Sequence, residues 1–104
     1  MLEKNRDGDA YMIISVRSKM CLTIKGDKSK GGAPIVQDSP SNALGQQWIL
    51  SHQGLSLYII ESKLKKGLFL GVRYNSMEQD ACLVLTTKEE YAFWRVIGTF
   101  SLRE

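Results

Sequence analysis

The side chains able to do chemistry are few and scattered. His52 is the single histidine, and it has neither a second histidine nor an obvious acid beside it, so neither a metal site nor a triad takes shape around it. Cys21 and Cys82 lie far apart, a spacing that fits neither a zinc site nor a disulfide framework. Cys21 reads as a small buried hydrophobe beside a strand rather than as a nucleophile. Asp7 and Asp9 flank Gly8 in a charged leader expected to be mobile, without the twelve-residue pattern of a calcium loop. No nucleophile stands with a base, no carboxylates pair at a defined spacing and no glycine loop is built to cradle phosphate. The expectation is a protein that is not an enzyme, with no catalytic residue, no metal and no cofactor.

Charge narrows the partners. The net charge is +3 and the isoelectric point about 9.0, with the lysines spread over several segments. A nucleic-acid surface carries a denser cluster, so nucleic acid is not the expected partner. Lys25, Lys28 and Lys30, and further on Lys63, Lys65, Lys66 and Arg73, read as solvated rims. Their functional alternative is an acidic surface such as a sulfated or sialylated glycan. Glu78, Asp80, Glu89 and Glu90 dilute any field of one sign. No apolar run approaches the roughly 18 residues that span a bilayer, and the charged N-terminus has no apolar segment of a secretory signal. With two unpaired cysteines, the expected setting is cytoplasmic, away from a membrane.

At 104 residues the chain has room for one domain, expected over 1–104. Its apolar residues fall in eight bursts of about four to six: 11–16, 21–24, 34–37, 47–50, 57–60, 68–72, 82–85 and 93–97. Gly26-Asp27, Gly31-Gly32, Asp38-Ser39-Pro40-Ser41-Asn42, Gly54 and Tyr74-Asn75-Ser76 separate them with turn chemistry. No stretch holds a helical period over three turns, so the fold class is all-β.

The chain also matches itself at a shift of 46 to 48 residues. Tyr11-Met12-Ile13 aligns with Tyr58-Ile59-Ile60, and Leu22-Thr23-Ile24 with Leu70-Gly71-Val72. Ala33-Pro34-Ile35-Val36 aligns with Ala81-Cys82-Leu83-Val84, and Trp48 with Trp94. Repeat one spans about 11–52 and repeat two about 57–97, each with four strands ending in tryptophan. Apolar positions recurring in both copies form the expected core: Tyr11, Ile13, Leu22, Ile24, Ile35, Trp48, Leu50, Tyr58, Ile60, Leu70, Val72, Leu83, Trp94 and Val96.

Tyr-x-Ile-x-Ser from Tyr11, Cys-Leu-x-Ile-x-Gly from Cys21, Gly-Ala-x-Ile-x-Gln from Gly32, and Gln46-Gln47-Trp48-x-Leu50 together resemble one repeat of the ricin-B-type (QxW) β-trefoil lectin family. The resemblance covers roughly 11–97 and is closer in the first copy. It implies β-trefoil-type units with the tryptophans in the core. In that family three repeats make a pseudo-threefold barrel, and two repeats supply about four of the six strands that line it. The tail from Gly98 could add one strand. The resemblance therefore implies a barrel that is incomplete or completed by association, most simply in a symmetric homodimer; the rival is that the tail from Gly98 and the leader before Tyr11 fold back to cover the opening.

The resemblance also implies where sugar would bind: an Asp on the second strand, an aromatic on or after the third, and an amide near Gln-x-Trp. Carboxylate and amide groups take paired sugar hydroxyls while a ring packs on C–H edges. The first copy has Thr23 and Asp38 at the first two places, and Asn42, Gln46 and Gln47 keep amide capacity. In the second copy Gly71, Thr86 and Ala92 stand there, and that copy reads as dead for sugar. The expected carbohydrate-binding residues are thus Thr23, Asp38, Asn42, Gln46 and Gln47, with galactose- or N-acetylgalactosamine-type glycans as partners. Two other functions stay open because these positions have eroded: a cytoplasmic trefoil protease inhibitor acting through a surface loop, and a protein-interaction module.

Overall fold

A computed structural model of the chain describes all residues except 1, 6, 56, 74–75, 78–80, 88–91, 96–101 and 104; for 27, 95, 102 and 103 it describes the backbone alone. The described residues form ten strands and two short 3-10 turns: β1 (Leu2–Lys4), β2 (Tyr11–Ile13), β3 (Cys21–Ile24), β4 (Ile35–Asp38), β5 (Trp48–His52), β6 (Leu57–Ser62), β7 (Phe69–Val72), β8 (Leu83–Thr86), β9 (Phe93–Arg95) and β10 (Leu102–Arg103). All eight apolar bursts contain strands, and the fold is all-β.

Six strands run in one row, in the order β10-β1-β2-β5-β6-β9. The two hairpins β3–β4 and β7–β8 stand off it. The ends of the row, β9 and β10, are not paired with each other among the described residues, so the barrel is not closed by a ladder.

The leader departs from expectation. Instead of a mobile segment it supplies β1, which pairs antiparallel with β2 in the register Leu2↔Ile13. Strand β5 lies on β6 in the matching register, Leu50↔Ile60. The tail adds β10, parallel to β1. The row therefore holds two strands more than the four that two repeats supply. Leu2 is buried, which gives a three-residue strand among charged neighbours a reason to hold its place.

The two copies repeat each other in hydrogen bonds as well as in residues. Tyr11 pairs with Trp48 and Tyr58 with Trp94; Ile14 pairs with Cys21 and Glu61 with Phe69. The Trp48 indole N–H donates to the Leu22 carbonyl at 3.2 Å, and the Trp94 indole N–H to the Leu70 carbonyl at 2.8 Å. In each hairpin the alternation of an antiparallel ladder turns that leucine's carbonyl away from the partner strand. The indole satisfies the group that the ladder leaves over.

Trp48 is fully buried, at 0% exposure, in a core with Ile24, Ala33, Leu68, Leu70 and Leu85. Ile13, Leu22, Ile35, Leu50, Ile60, Leu83 and Trp94 pack on it half-buried. Of the remaining expected core residues, Tyr11, Tyr58 and Val72 are half-buried outside this cluster, and Val96 lies outside the described residues. Met12, Ile14 and Cys21 make a second cluster on the opposite face of β2, so that strand is covered on both sides.

Trp48→Ala should lower stability by about 3–5 kcal/mol, a large part of what a small domain has. Trp48→Phe, which keeps most of the ring but strands the Leu22 carbonyl, should cost about 1–3 kcal/mol. Urea denaturation reads both. A Trp48→Phe protein with the wild-type midpoint would contradict the role given to the indole N–H.

Candidate functional site

The first copy is built around three buried amides. Gln46 donates through Nε2 to the Ser39 carbonyl at 2.8 Å, and its Oε1 accepts the Ser41 N–H at 2.8 Å. Gln47 Nε2 donates to the Asn42 carbonyl at 3.0 Å. Its Oε1 accepts Asn5 Nδ2 at 2.8 Å, tying the leader to the loop that enters β5. Asn5 Oδ1 in turn accepts the N–H groups of Asp9 and Ala10, closing the turn between β1 and β2. Buried amides with their polar atoms paired in this way fix a loop conformation. Asn42 sits in that loop at φ 61°, the left-handed region that asparagine tolerates better than most residues.

The five residues expected to hold sugar are thus placed unequally. Gln46, Gln47 and Asn42 come together, with the two glutamines inside supporting the loop and Asn42 exposed on it. Thr23 is buried within its hairpin, and its hydroxyl donates to the Cys21 carbonyl at 3.0 Å. Asp38 is exposed at the end of β4, where its carboxylate accepts the Ser39 N–H at 2.8 Å. The five side chains do not converge on one cleft.

Two open concavities flank this framework. A groove of about 470 Å³ is lined by Glu3, Lys4, Asn5, Met12, Pro40, Ser41 and Asn42. Its carboxylate, amide and hydroxyl stand around the apolar surface of Met12 and Pro40, a combination suited to sugar hydroxyls and C–H edges. A smaller hollow of about 290 Å³ lies between Ile13, Ser15, Met20, Leu22 and Gln37. There the Ser18 hydroxyl donates to Gln37 Oε1 at 2.6 Å. Glu3, Lys4 and Asn5 fall outside the expected site because the leader carries no repeat signal.

The lysine rim of the second copy is also engaged. Lys63 Nζ lies 2.9 Å from Asp9 Oδ1 and 3.6 Å from Asp7 Oδ2, bridging the leader turn to repeat two. The Asn5 amide and the Lys63 ammonium hold the Asp9 carboxyl below its ordinary value, and the bond to Asp9 raises Lys63. Burial pushes the Cys21 thiol up, which keeps it protonated. His52 Nε2 is 2.6 Å from the Leu55 carbonyl, and its ring lies 4.9 Å from that of Tyr58. No group of three or more histidine, cysteine, aspartate or glutamate side chains among the described residues is placed to hold a metal ion. No helix among them is long and apolar enough to cross a membrane.

A row of barrel strands carrying outlying hairpins, with a tryptophan bonded to a hairpin carbonyl closing each repeat, defines an incomplete β-trefoil. The family model for ricin-type β-trefoil lectin domain-like proteins matches residues 2–86, and the chain belongs to this family. Among solved structures it is similar to the designed 3-fold symmetric protein ThreeFoil, with a TM-score of 0.83 and 22% identity over 94% of this chain and 70% of that one. It is also similar to 1,3Gal43A, an exo-β-1,3-galactanase from Clostridium thermocellum, with a TM-score of 0.79 and 24% identity over 91% of this chain and 21% of that one. Among curated proteins none matches the sequence. At these identities the structural likenesses establish the fold.

The Asp9–Lys63 pair has a readable pH signature. The lowered Asp9 pKa means its contribution is present above the ordinary aspartate range and is lost as pH falls through the lowered value. The raised Lys63 pKa means its contribution is present below the ordinary lysine value and is lost as pH rises through the raised one. Asp9→Asn should therefore lower the melting temperature between about pH 5 and 9, with the gap to wild type closing in acid below the ordinary aspartate range. A gap that persists undiminished at pH 2 would contradict the ion pair.

Proposed function

We propose that the chain is a carbohydrate-binding, lectin-like module, a binder rather than a catalyst, whose sugar site is the groove between the leader and the 40–42 loop. Family membership over residues 2–86 supports carbohydrate binding in general. The groove supports the location, because Glu3 and Asn42 bring a carboxylate and an amide to the edge of Met12 and Pro40. In this reading Gln46, Gln47 and Asn5 support the loop and Asn42 touches the ligand. A galactose-type sugar is the first choice, in keeping with the family resemblance and with the galactan substrate named for the galactanase relative. Both described cysteines are free thiols, which accords with a reducing, cytoplasmic setting.

Self-association accompanies this function. The ends of the strand row are not joined among the described residues, and natural sheets seldom leave edges bare. A homodimer would also double the sugar sites and raise avidity. The loop-borne alternative, a protease-inhibiting or other protein-binding surface, is favoured by one feature. Leu55 is 90% exposed at the β5–β6 tip, at φ 52° beside Gly54.

Galactose and N-acetylgalactosamine should bind with affinity of about millimolar order, as expected of one shallow site per chain. In an NMR titration the shifts should cluster on Glu3, Met12, Ser41 and Asn42. Glu3→Gln should weaken binding about tenfold or more, through loss of a charge-assisted hydrogen bond. Shifts confined to repeat two, or no binding by either sugar, would overturn the site.

A further inference from the structure

Gln37 on β4 and Leu85 on β8 hold the same place in the two hairpins, 48 residues apart. In the second hairpin the Arg73 N–H donates to the Cys82 carbonyl at 2.8 Å, which makes residues 73 and 82 a hydrogen-bonded pair. By antiparallel alternation residues 70 and 85 are then not bonded to each other, and the N–H and C=O of Leu85 point away from β7. Both groups are taken by the first hairpin. The Gly32 N–H donates to the Leu85 carbonyl at 2.8 Å, and the Leu85 N–H donates to the Ala33 carbonyl at 2.9 Å. Pro34 bridges to Val84 beside them.

The first hairpin has the same alternation, because the Lys25 N–H donates to the Pro34 carbonyl at 3.0 Å. Residues 22 and 37 are consequently an unbonded pair, and the N–H and C=O of Gln37 point away from β3. No described residue meets them. The acceptor that meets the N–H of this edge on β8 is the Ala33 carbonyl, with Pro34 beside it, and their counterparts in the second copy are Ala81 and Cys82. Cys82 is exposed, and the Ala81 carbonyl has no backbone partner among the described residues. Among the described residues there is thus one unfilled edge and one unused copy of the acceptor that fills its partner.

We propose that Ala81-Cys82 of a second copy of this chain docks on the β4 edge at Val36 and Gln37. In this contact the Ala81 carbonyl accepts the Gln37 N–H as the Ala33 carbonyl accepts the Leu85 N–H inside the chain, and Cys82 lies beside Val36 as Pro34 lies beside Val84. It is strand addition directed by the repeat itself. Each copy has both halves, so two copies related by a twofold axis make the contact twice and leave neither half over. The inference rests on the self-association reading and specifies which residues carry it.

Sedimentation velocity at micromolar to submillimolar concentration, with wild type and Gln37→Pro side by side, tests it. Proline at 37 removes an N–H that points out of the hairpin, so the β3–β4 ladder keeps its bonds while the docking edge loses its donor. Wild type should sediment at twice the chain mass of 11.7 kDa, and Gln37→Pro at the chain mass with an unchanged far-UV spectrum. A second variant covers misfolding of the first. Val36 corresponds to Val84 and Cys82 to Pro34, so Val36→Cys should form an intermolecular disulfide with native Cys82 on mild oxidation, identified by peptide mapping. A monomeric wild type overturns self-association and this inference together. A wild-type dimer that neither loses mass with Gln37→Pro nor yields the 36–82 crosslink overturns the inference alone.

Discussion

In each copy of the repeat an indole N–H reaches the carbonyl that the neighbouring hairpin cannot satisfy. The Leu22 and Leu70 carbonyls point out of their ladders toward the barrel, and Trp48 and Trp94 reach them from the strands that end the two repeats. Leaving such a group unpaired in a core costs about 1–3 kcal/mol, in a molecule whose whole stability is of the order of 5–15 kcal/mol. The bond also fixes the ring. A Trp48 held by Leu22 presents its backbone to Tyr11 on one side and to Ser62 on the other, joining β2, β5 and β6. Hairpin position and barrel register are set by the same contact.

Around that contact the leader completes what the repeats leave short. Strand β1 takes the place on β2 that β5 takes on β6, and Asn5 secures it by bonding to Gln47, 42 residues away. The Asp9–Lys63 pair ties the same turn to the second repeat. The groove exists because of this arrangement, since one wall comes from residues 3–5 and the other from residues 40–42. Removing the leader would dismantle the candidate site as well as an edge of the barrel.

Much of this was legible in the sequence, and the parts that were not have physical reasons. The two hairpins and both tryptophans could be read because their residues recur at a near-constant shift, a signal that accumulates over some forty positions. Strand β1 offers three residues, one of them buried, between charged neighbours, so local pattern gave it no weight. Gln46, Gln47 and Asn42 lie together, the two glutamines buried and the asparagine exposed. Residue type says that a glutamine can bond to a sugar, but whether it faces solvent depends on the loop it meets, and Gln46 and Gln47 turn inward onto residues 39–43. Thr23 is similar: on a four-residue strand with both faces partly covered, alternation does not say which face the hydroxyl takes.

The same indole-to-carbonyl bond anchors both halves of one fold. Hydrogen exchange at the two indole N–H groups, followed by NMR in the wild-type protein, measures it directly. Both should exchange on the timescale of the β5–β6 ladder amides, far slower than an exposed indole. Fast exchange at either Trp48 or Trp94, with the ladder still protected, would contradict it.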